Sequence, residues 1–71
     1  MSMTLTAVLT RDPAGGYVAL NPETGSTTQG ETVSEALDNL REATELFLEE
    51  FPLASSASGR PLLTTFEVAH A

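Results

Sequence analysis

Acidic side chains are the residues of this sequence with the most potential for chemistry. Ten Asp and Glu residues stand against three basic residues, giving a formal net charge of −7. Two-metal hydrolysis of nucleic acid requires several carboxylates that converge on the metals, one of them from a central strand. The first predicted strand, residues 3–10, carries no acid, and the first acid of the chain is Asp12 in the turn that follows. We therefore interpret Asp12, Glu23, Glu31 and Glu67 as solvated surface charge rather than a metal site.

Nucleophilic and thiolate chemistry is equally unsupported. The chain contains no Cys and a single His, which excludes disulfides, thiolate metal sites and a histidine cluster within one chain. His70 lies one residue from the end, where fraying is usual, so we interpret it as part of the terminus rather than as a base. We expect no catalytic residue, no metal and no cofactor, and hence a protein that is not an enzyme.

The charge also bears on partners. Three scattered arginines cannot supply the phosphate contacts on which nucleic-acid affinity depends, so we expect no direct nucleic-acid binding. Two interpretations of the acidity stay open. It can provide solubility alone, or it can attract a basic protein and speed their encounter.

Length and hydropathy limit the architecture. A chain of 71 residues forms one domain, residues 1–71, with a thin core that self-association can support. There is no positively charged leader before an apolar run and no stretch of about 18 apolar residues. We expect a cytoplasmic protein without a membrane span.

The strongest local pattern is a helix over Val33–Glu50. An apolar stripe recurs at helical spacing and consists of Val33, Leu37, Leu40, Thr44, Phe47 and Phe51. Thr32 followed by Glu35 predicts a capping box at the start of the helix. Pro52 cannot continue the hydrogen-bond ladder and predicts the end.

Shorter patterns predict strands on both sides of this helix. Alternation over residues 3–10 predicts a first strand, and residues 17–21 and 26–29 predict a second and a third. Pro and Gly residues mark turns at residues 11–16 and 22–25, and Gly30 ends the third strand. Residues 52–61 are predicted to be a flexible connector, and alternation resumes as a fourth strand over residues 62–68.

The predicted order is β-β-β-α-β, an α+β fold with two layers. Two hairpins make the first three strands antiparallel, and a right-handed crossover through the helix places the fourth strand parallel to the first and beside it. The helix is expected to cover Met3, Leu5, Ala7, Leu9, Phe66 and Val68, with Phe47 and Phe66 in the core. The opposite, threonine-rich face is either exposed to water or joined to another subunit.

The order of short motifs resembles the HicB-like antitoxin family. The series runs Gly16-Tyr17-Val18-Ala19, Pro22-Glu23, Gly25, Gln29-Gly30-Glu31-Thr32, Glu35-Ala36-Leu37, Asn39-Leu40 and Glu42-Ala43. It covers about residues 3–51, and it is specific in combination rather than in any single piece. The resemblance implies a partial ribonuclease-H-like HicB fold with one helix on a four-stranded mixed sheet.

The resemblance implies a protein that binds and occludes HicA, a small basic toxin that cleaves messenger RNA. Two features depart from the family: the loop after the second strand is shorter and lacks the usual cysteine, and the chain stops at Ala71 without an appended DNA-binding domain. These departures favour an alternative, an orphan oligomeric interaction module of the same fold without a toxin partner. Under either hypothesis we expect a homo-oligomer, a dimer or a tetramer, whose interface the sequence leaves open.

Four residues are candidates for partner binding. Tyr17 is either a half-buried strand residue or a partner contact, since tyrosine is common at interfaces. Asn21, Pro22 and Glu23 most simply build a turn, but they coincide with the family's landmark loop. On the helix, Arg41 is expected to pair with a nearby Glu such as Glu45 at i+4.

Overall fold

Three short strands and one long helix are the regular secondary structure of the described residues. The computed structural model describes residues 3–51 and 62–70. The strands are β1 (Val8–Arg11), β2 (Tyr17–Leu20) and β3 (Thr27–Gly30), followed by α1 (Val33–Glu50). They form one antiparallel sheet of order β1-β2-β3, so the α+β class and the β-β-β-α order predicted from the sequence are confirmed.

Both predicted turns are present. In the first, the Asp12 N–H donates to the Gly16 carbonyl at 3.0 Å, and the Asp12 carboxylate accepts from the Ala14 N–H at 2.9 Å. Gly16 has φ +80° and faces β3, where an added Cβ would lie 2.7 Å from the Gly30 carbonyl oxygen. This position therefore requires glycine for both its backbone angle and its lack of a side chain.

The helix has the bounds predicted from its sequence. The Thr32 hydroxyl accepts from the Glu35 N–H at 3.0 Å, as a capping box requires. The Glu35 carboxylate, however, accepts from the N–H of Glu31 at 2.7 Å rather than from that of Thr32. At the other end the Phe51 N–H donates to Phe47 at 2.8 Å, whereas Pro52 lies outside the described residues.

The core consists of small residues at the contact between sheet and helix. Ala19, Ala36 and Leu40 are buried, with Ala7 and Tyr17 packed against them. A Cβ on Gly30 would lie 2.8 Å from the Ala36 Cα, so the backbones of β3 and α1 approach closely. This approach needs glycine on the strand and alanine on the helix.

The buried line of the helix differs from the predicted stripe. It runs through Ala36, Leu40 and Thr44, while Val33 is 41% exposed and Phe51 62% exposed. The close contact at Gly30 explains the rotation, because it turns the side of α1 that carries Ala36 toward the sheet. Leu37 and Phe47, which belong to the predicted stripe, are half-buried at its margin.

The first strand is shorter than predicted and shifted along the chain. β1 begins only at Val8, because its partner β2 ends at Leu20, and Val8 is the residue that pairs with Leu20. Beyond that point the chain turns at Asn21, so residues 3–7 have no neighbouring strand in the sheet. β3 is likewise shifted by one residue: it begins at Thr27, and its last residue is Gly30, which pairs with Tyr17.

The predicted fourth strand over residues 62–68 is absent, and that prediction was wrong for the described chain. Residues 62–70 have no regular secondary structure and are exposed throughout, Phe66 by 85%. Alternation makes a segment suitable for a strand, but a strand forms only where another strand's edge pairs with it. The described sheet is therefore three-stranded and antiparallel, not four-stranded and mixed, and Phe66 and Val68 do not join the core. The predicted connector, residues 52–61, lies outside the described residues.

Candidate partner-binding surface

The four candidate residues lie at two ends of one strand. Tyr17 is the first residue of β2, whereas Asn21 directly follows its last residue. Four residues of strand separate these positions by about 13 Å. Tyr17 therefore does not form one continuous contact surface with Asn21, Pro22 and Glu23.

Asn21 organises the second turn from a buried position. Its side chain is 1% exposed. Its amide nitrogen donates to the Thr6 carbonyl at 2.8 Å and to Glu23 Oε1 at 2.6 Å. Its oxygen accepts from the N–H and the hydroxyl of Thr24 at 2.9 and 2.6 Å. A partner could reach this amide only if these internal bonds opened.

Glu23 ties the turn to the segment before β1. Its two oxygens accept from the Thr6 N–H at 3.1 and 3.2 Å, and Oε2 also accepts from the Thr6 hydroxyl at 2.9 Å. Burial favours the neutral carboxyl, but the hydrogen bonds from Thr6 and Asn21 outweigh it and lower the pKa of Glu23 below its ordinary value. The carboxylate thus acts as an internal acceptor for residues 3–7, and half-buried Pro22 lies in the turn between it and Asn21.

Tyr17 combines a packing role with partial exposure. It is half-buried against the core, and the guanidinium carbon of Arg11 lies 5.8 Å from its ring centroid. The ring also borders an open depression of about 700 Å³ between the first turn and the start of α1. Both interpretations of Tyr17 are therefore compatible with its position.

The outer face of α1 carries the acidic charge. Five exposed residues recur at steps of three and four, which places them on one side of the helix; they are Glu35, Asp38, Glu42, Glu45 and Glu49, named here the acidic stripe. At about 100° per residue, the middle of the acidic stripe lies about 180° around the helix from Leu40, the centre of the buried line. The stripe therefore faces mainly away from the sheet, although Glu45 and Glu49 also border a groove between α1 and the residues that lead into β1.

One arginine borders the acidic stripe. Arg41 Nη1 lies 3.3 Å from Asp38 Oδ1, and both side chains are largely exposed. The predicted pairing of Arg41 with a Glu such as Glu45 is not observed; its partner is Asp38 at i−3. An exposed pair of this kind contributes little to stability, so the acidic stripe keeps most of its field.

Residues that bond these elements together were missed by reasoning from the sequence. Thr6 joins the N-terminal segment to the second turn, and Thr24 completes the bonds of Asn21. Thr44 was placed in the predicted stripe, but the bond within α1 from its hydroxyl to the Leu40 carbonyl at 2.9 Å was not predicted. Threonine in an alternating segment gives no sign of such a partner. For the acidic stripe, in contrast, the sequence carries a signal, since its members recur at spacings of three and four within α1.

Neither a metal centre nor a membrane helix is found in residues 3–51 and 62–70. Within these ranges no group of three or more His, Cys, Asp or Glu side chains is placed to hold a metal ion. The helix described there lacks the combination of length and apolar character needed to cross a bilayer. Comparisons of the chain with models of protein families, with curated proteins and with solved structures found no match.

Proposed function

We propose that the chain is a HicB-like antitoxin domain, which binds and occludes a small basic HicA-type toxin that cleaves messenger RNA. The observation that carries this proposal is the acidic stripe, combined with the motif series described above. The series falls on the elements in family order: Gly-Tyr opens β2, Pro-Glu lies in the second turn, Gln-Gly ends β3 and Glu-Ala-Leu lies in the first turns of α1. The β-β-β-α order is compatible with the corresponding part of the family fold.

The geometry of the acidic stripe supports occlusion of an RNA-binding surface. From Glu35 to Glu49 it extends about 21 Å along the helix at about 1.5 Å per residue. A row of carboxylates on a rigid helix can occupy basic side chains that otherwise bind RNA phosphates. In this proposal the chain is not an enzyme, acts in the cytoplasm and blocks its partner by covering it.

Tyr17 is the proposed second contact with the toxin. It lies at the end of the sheet that adjoins the start of α1, and its depression is lined by Glu31, Thr32 and Val33. An aromatic residue beside a charged row provides the apolar part of an interface, whose charges mainly set orientation and rate. Asn21, Pro22 and Glu23 act instead by shaping the loop.

The alternative function, an orphan oligomeric interaction module, is favoured by a different observation. Four apolar residues are exposed in the C-terminal segment, residues 62–68, and they are Leu62, Leu63, Phe66 and Val68. Exposed apolar side chains that lie close together mark interaction sites. In addition, the loop at Asn21 makes its hydrogen bonds within the chain. A self-associating protein requires no toxin to account for these features.

Calorimetric titration of the chain with a small basic HicA-type toxin, at low and high salt, tests the proposal. The toxin to use is one encoded beside this chain. The variant Glu42→Gln with Glu45→Gln removes two charges of the acidic stripe, and we expect it to weaken binding roughly 5- to 30-fold. Binding should also weaken as salt rises.

The matched control is a neutralisation elsewhere on the same helix. Glu50 is exposed but lies about 100° around α1 from the middle of the acidic stripe, so Glu50→Gln should change affinity less than twofold per charge. If the two variants lost the same affinity per charge removed, only the net charge of the chain would matter for binding. An absence of binding to any HicA-type toxin would leave the orphan module.

A further inference from the structure

The C-terminal segment, residues 62–68, is apolar in alternation yet contacts nothing that would bury it. Leu62 and Phe66 are 88% and 85% exposed. Leu62, Phe66 and Val68 fall on one side of an extended chain, together with Thr64. We propose that two copies of this chain exchange these segments, each adding its segment as a strand to the free edge of β1 in the other copy.

β1 is the edge of the sheet that is open to such a strand. The sheet order makes both β1 and β3 edge strands, but α1 packs mainly on β3. There the Asn39 amide donates to the Gln29 carbonyl at 2.7 Å, and the Thr28 hydroxyl donates to the Ala36 carbonyl at 3.0 Å. An exposed edge of unpaired backbone groups is a template for a further strand.

An apolar groove lies beside that edge, along the residues that lead into β1. It has a volume of about 680 Å³ and is bordered by residues 3–7 and by α1. Its apolar lining includes Met3, Leu5, Leu37, Leu40 and Leu48, and its charged lining consists of Arg41, Glu45 and Glu49. A strand of seven residues extends about 23 Å, enough to run along β1 and about three of the residues that precede it. Alternate side chains of the exchanged segment, Phe66 among them, would then enter the groove.

Charge distinguishes this interface from the other surfaces of the molecule. A contact between two acidic stripes would bring ten carboxylates together against two arginines, which like-charge repulsion opposes. The C-terminal segment carries one charge, Glu67, and β1 carries one charge of opposite sign, Arg11. The segment and the strand edge therefore carry few charges, and those charges are opposite in sign, while Arg41, Glu45 and Glu49 border the groove on its helix side.

A second copy of the chain can bury the C-terminal segment and also pair with the edge of β1. Tethering within one chain gives a segment an effective concentration on the order of millimolar at its own domain. Despite this advantage the segment does not lie on its own β1 edge in the single chain. Reciprocal exchange between two chains fills both grooves and both edges with a closed, two-fold arrangement. This proposal does not require a toxin and is tested on the chain alone.

The first test measures mass by light scattering and analytical ultracentrifugation across micromolar concentrations. Wild-type chain should be a dimer. Phe66→Asp should raise the dimer dissociation constant about 100-fold or more, since each dimer loses two buried aromatic side chains. Thr65→Asp is the matched control: it adds the same charge on the other side of the strand and should raise the constant less than about tenfold.

Phe66 is exposed in the single chain, so its replacement should leave the fold of residues 3–51 intact, as helical circular dichroism can verify. A monomeric wild-type chain at about 100 μM would overturn the proposal, because such an exchange should be stable well below that concentration. A dimer that tolerates Phe66→Asp as well as it tolerates Thr65→Asp would also overturn it, since the contact would then lie elsewhere.

The second test uses the absence of cysteine from the chain. One variant carries Thr10→Cys on β1 and another carries Thr65→Cys; the two are mixed and treated with a bifunctional maleimide. We expect a linked peptide between the two positions in a species of dimer mass. A third variant carries both Thr10→Cys and Thr65→Cys in one chain. If its cross-link formed only in species of monomer mass, the segment would fold onto its own β1 edge, and the exchange would be overturned.

Discussion

Replacement of Asn21 by alanine should remove a large part of the stability of this domain. The buried amide makes four hydrogen bonds, to Thr6, to Glu23 and twice to Thr24. At about 0.5 to 1.5 kcal/mol each, without full additivity, their loss should cost about 3 kcal/mol. A domain of this length has a free energy of unfolding of about 4 to 10 kcal/mol. The expected decrease in Tm is roughly 12 to 24 °C.

Urea denaturation followed by circular dichroism measures this loss, with Asn39→Ala as the matched control. The Asn39 amide is exposed and makes one bond, to Gln29 at 2.7 Å. Its loss is partly offset by the better helix propensity of alanine, so the control should lose less than about 1 kcal/mol. If Asn21→Ala also lost less than about 1 kcal/mol, the hydrogen bonds described for Asn21 would not be those that fix the turn.

Three further substitutions test other contacts. Gly30→Ala places a methyl group against the Ala36 backbone and should cost about 1 to 3 kcal/mol in urea denaturation. Because the folded pKa of Glu23 is lowered, wild type should have a larger free energy of unfolding than Glu23→Gln, and this difference should be full above the ordinary glutamate pKa. The difference should disappear as pH falls through the folded pKa, which urea denaturation at a series of pH values from about pH 6 to about pH 3 can measure. Glu49→Gln removes a charge near the helix C-terminus and four residues after Glu45, so it should stabilise the chain by about 0.5 kcal/mol, an effect that about 1 M salt abolishes.

The helix was predictable because its signals are local. The Thr32 cap, the apolar spacing and the exposed acids all lie within about twenty residues of one another, and each indicates the same element. The two turns were predictable for the same reason, since Gly16 and Gly25 supply the positive φ values of +80° that they need. These elements need little information from the rest of the chain.

The bounds of the strands depended on which strands pair with each other, and this pairing could not be predicted from the sequence. Residues 3–10 and 62–68 both alternate, yet only Val8, Leu9 and Thr10 of those two ranges lie in a strand, because β2 offers them its edge. Gly30 gave no sign that α1 would pack so close to it. The hydrophobic stripe was therefore predicted from its side-chain types, while the observed buried line runs through Ala36, the residue that faces Gly30.

The candidate site was predictable to a similar degree. The turn character of Asn21 and Glu23 followed from their types, but their bonds to Thr6 connect residues fifteen and seventeen positions apart. No local pattern marks such a pair. The acidic stripe needed only the helix and a spacing, which is why the surface that supports the proposed function is also the one that the sequence indicates best.

Glu35, Asp38 and Glu42 of the acidic stripe lie outside the groove beside the β1 edge, whereas Glu45 and Glu49 help to line it. A segment exchanged along the outer strand would therefore leave three of the five carboxylates open to the toxin, which leads to a prediction about the toxin complex. Light scattering should find two chains with two toxins, and Phe66→Asp should convert this complex to one chain with one toxin without weakening toxin binding by more than about threefold. If toxin binding instead dissociated the wild-type dimer, the two surfaces would overlap, and the toxin would have to contact the sheet edge rather than the outer face of α1.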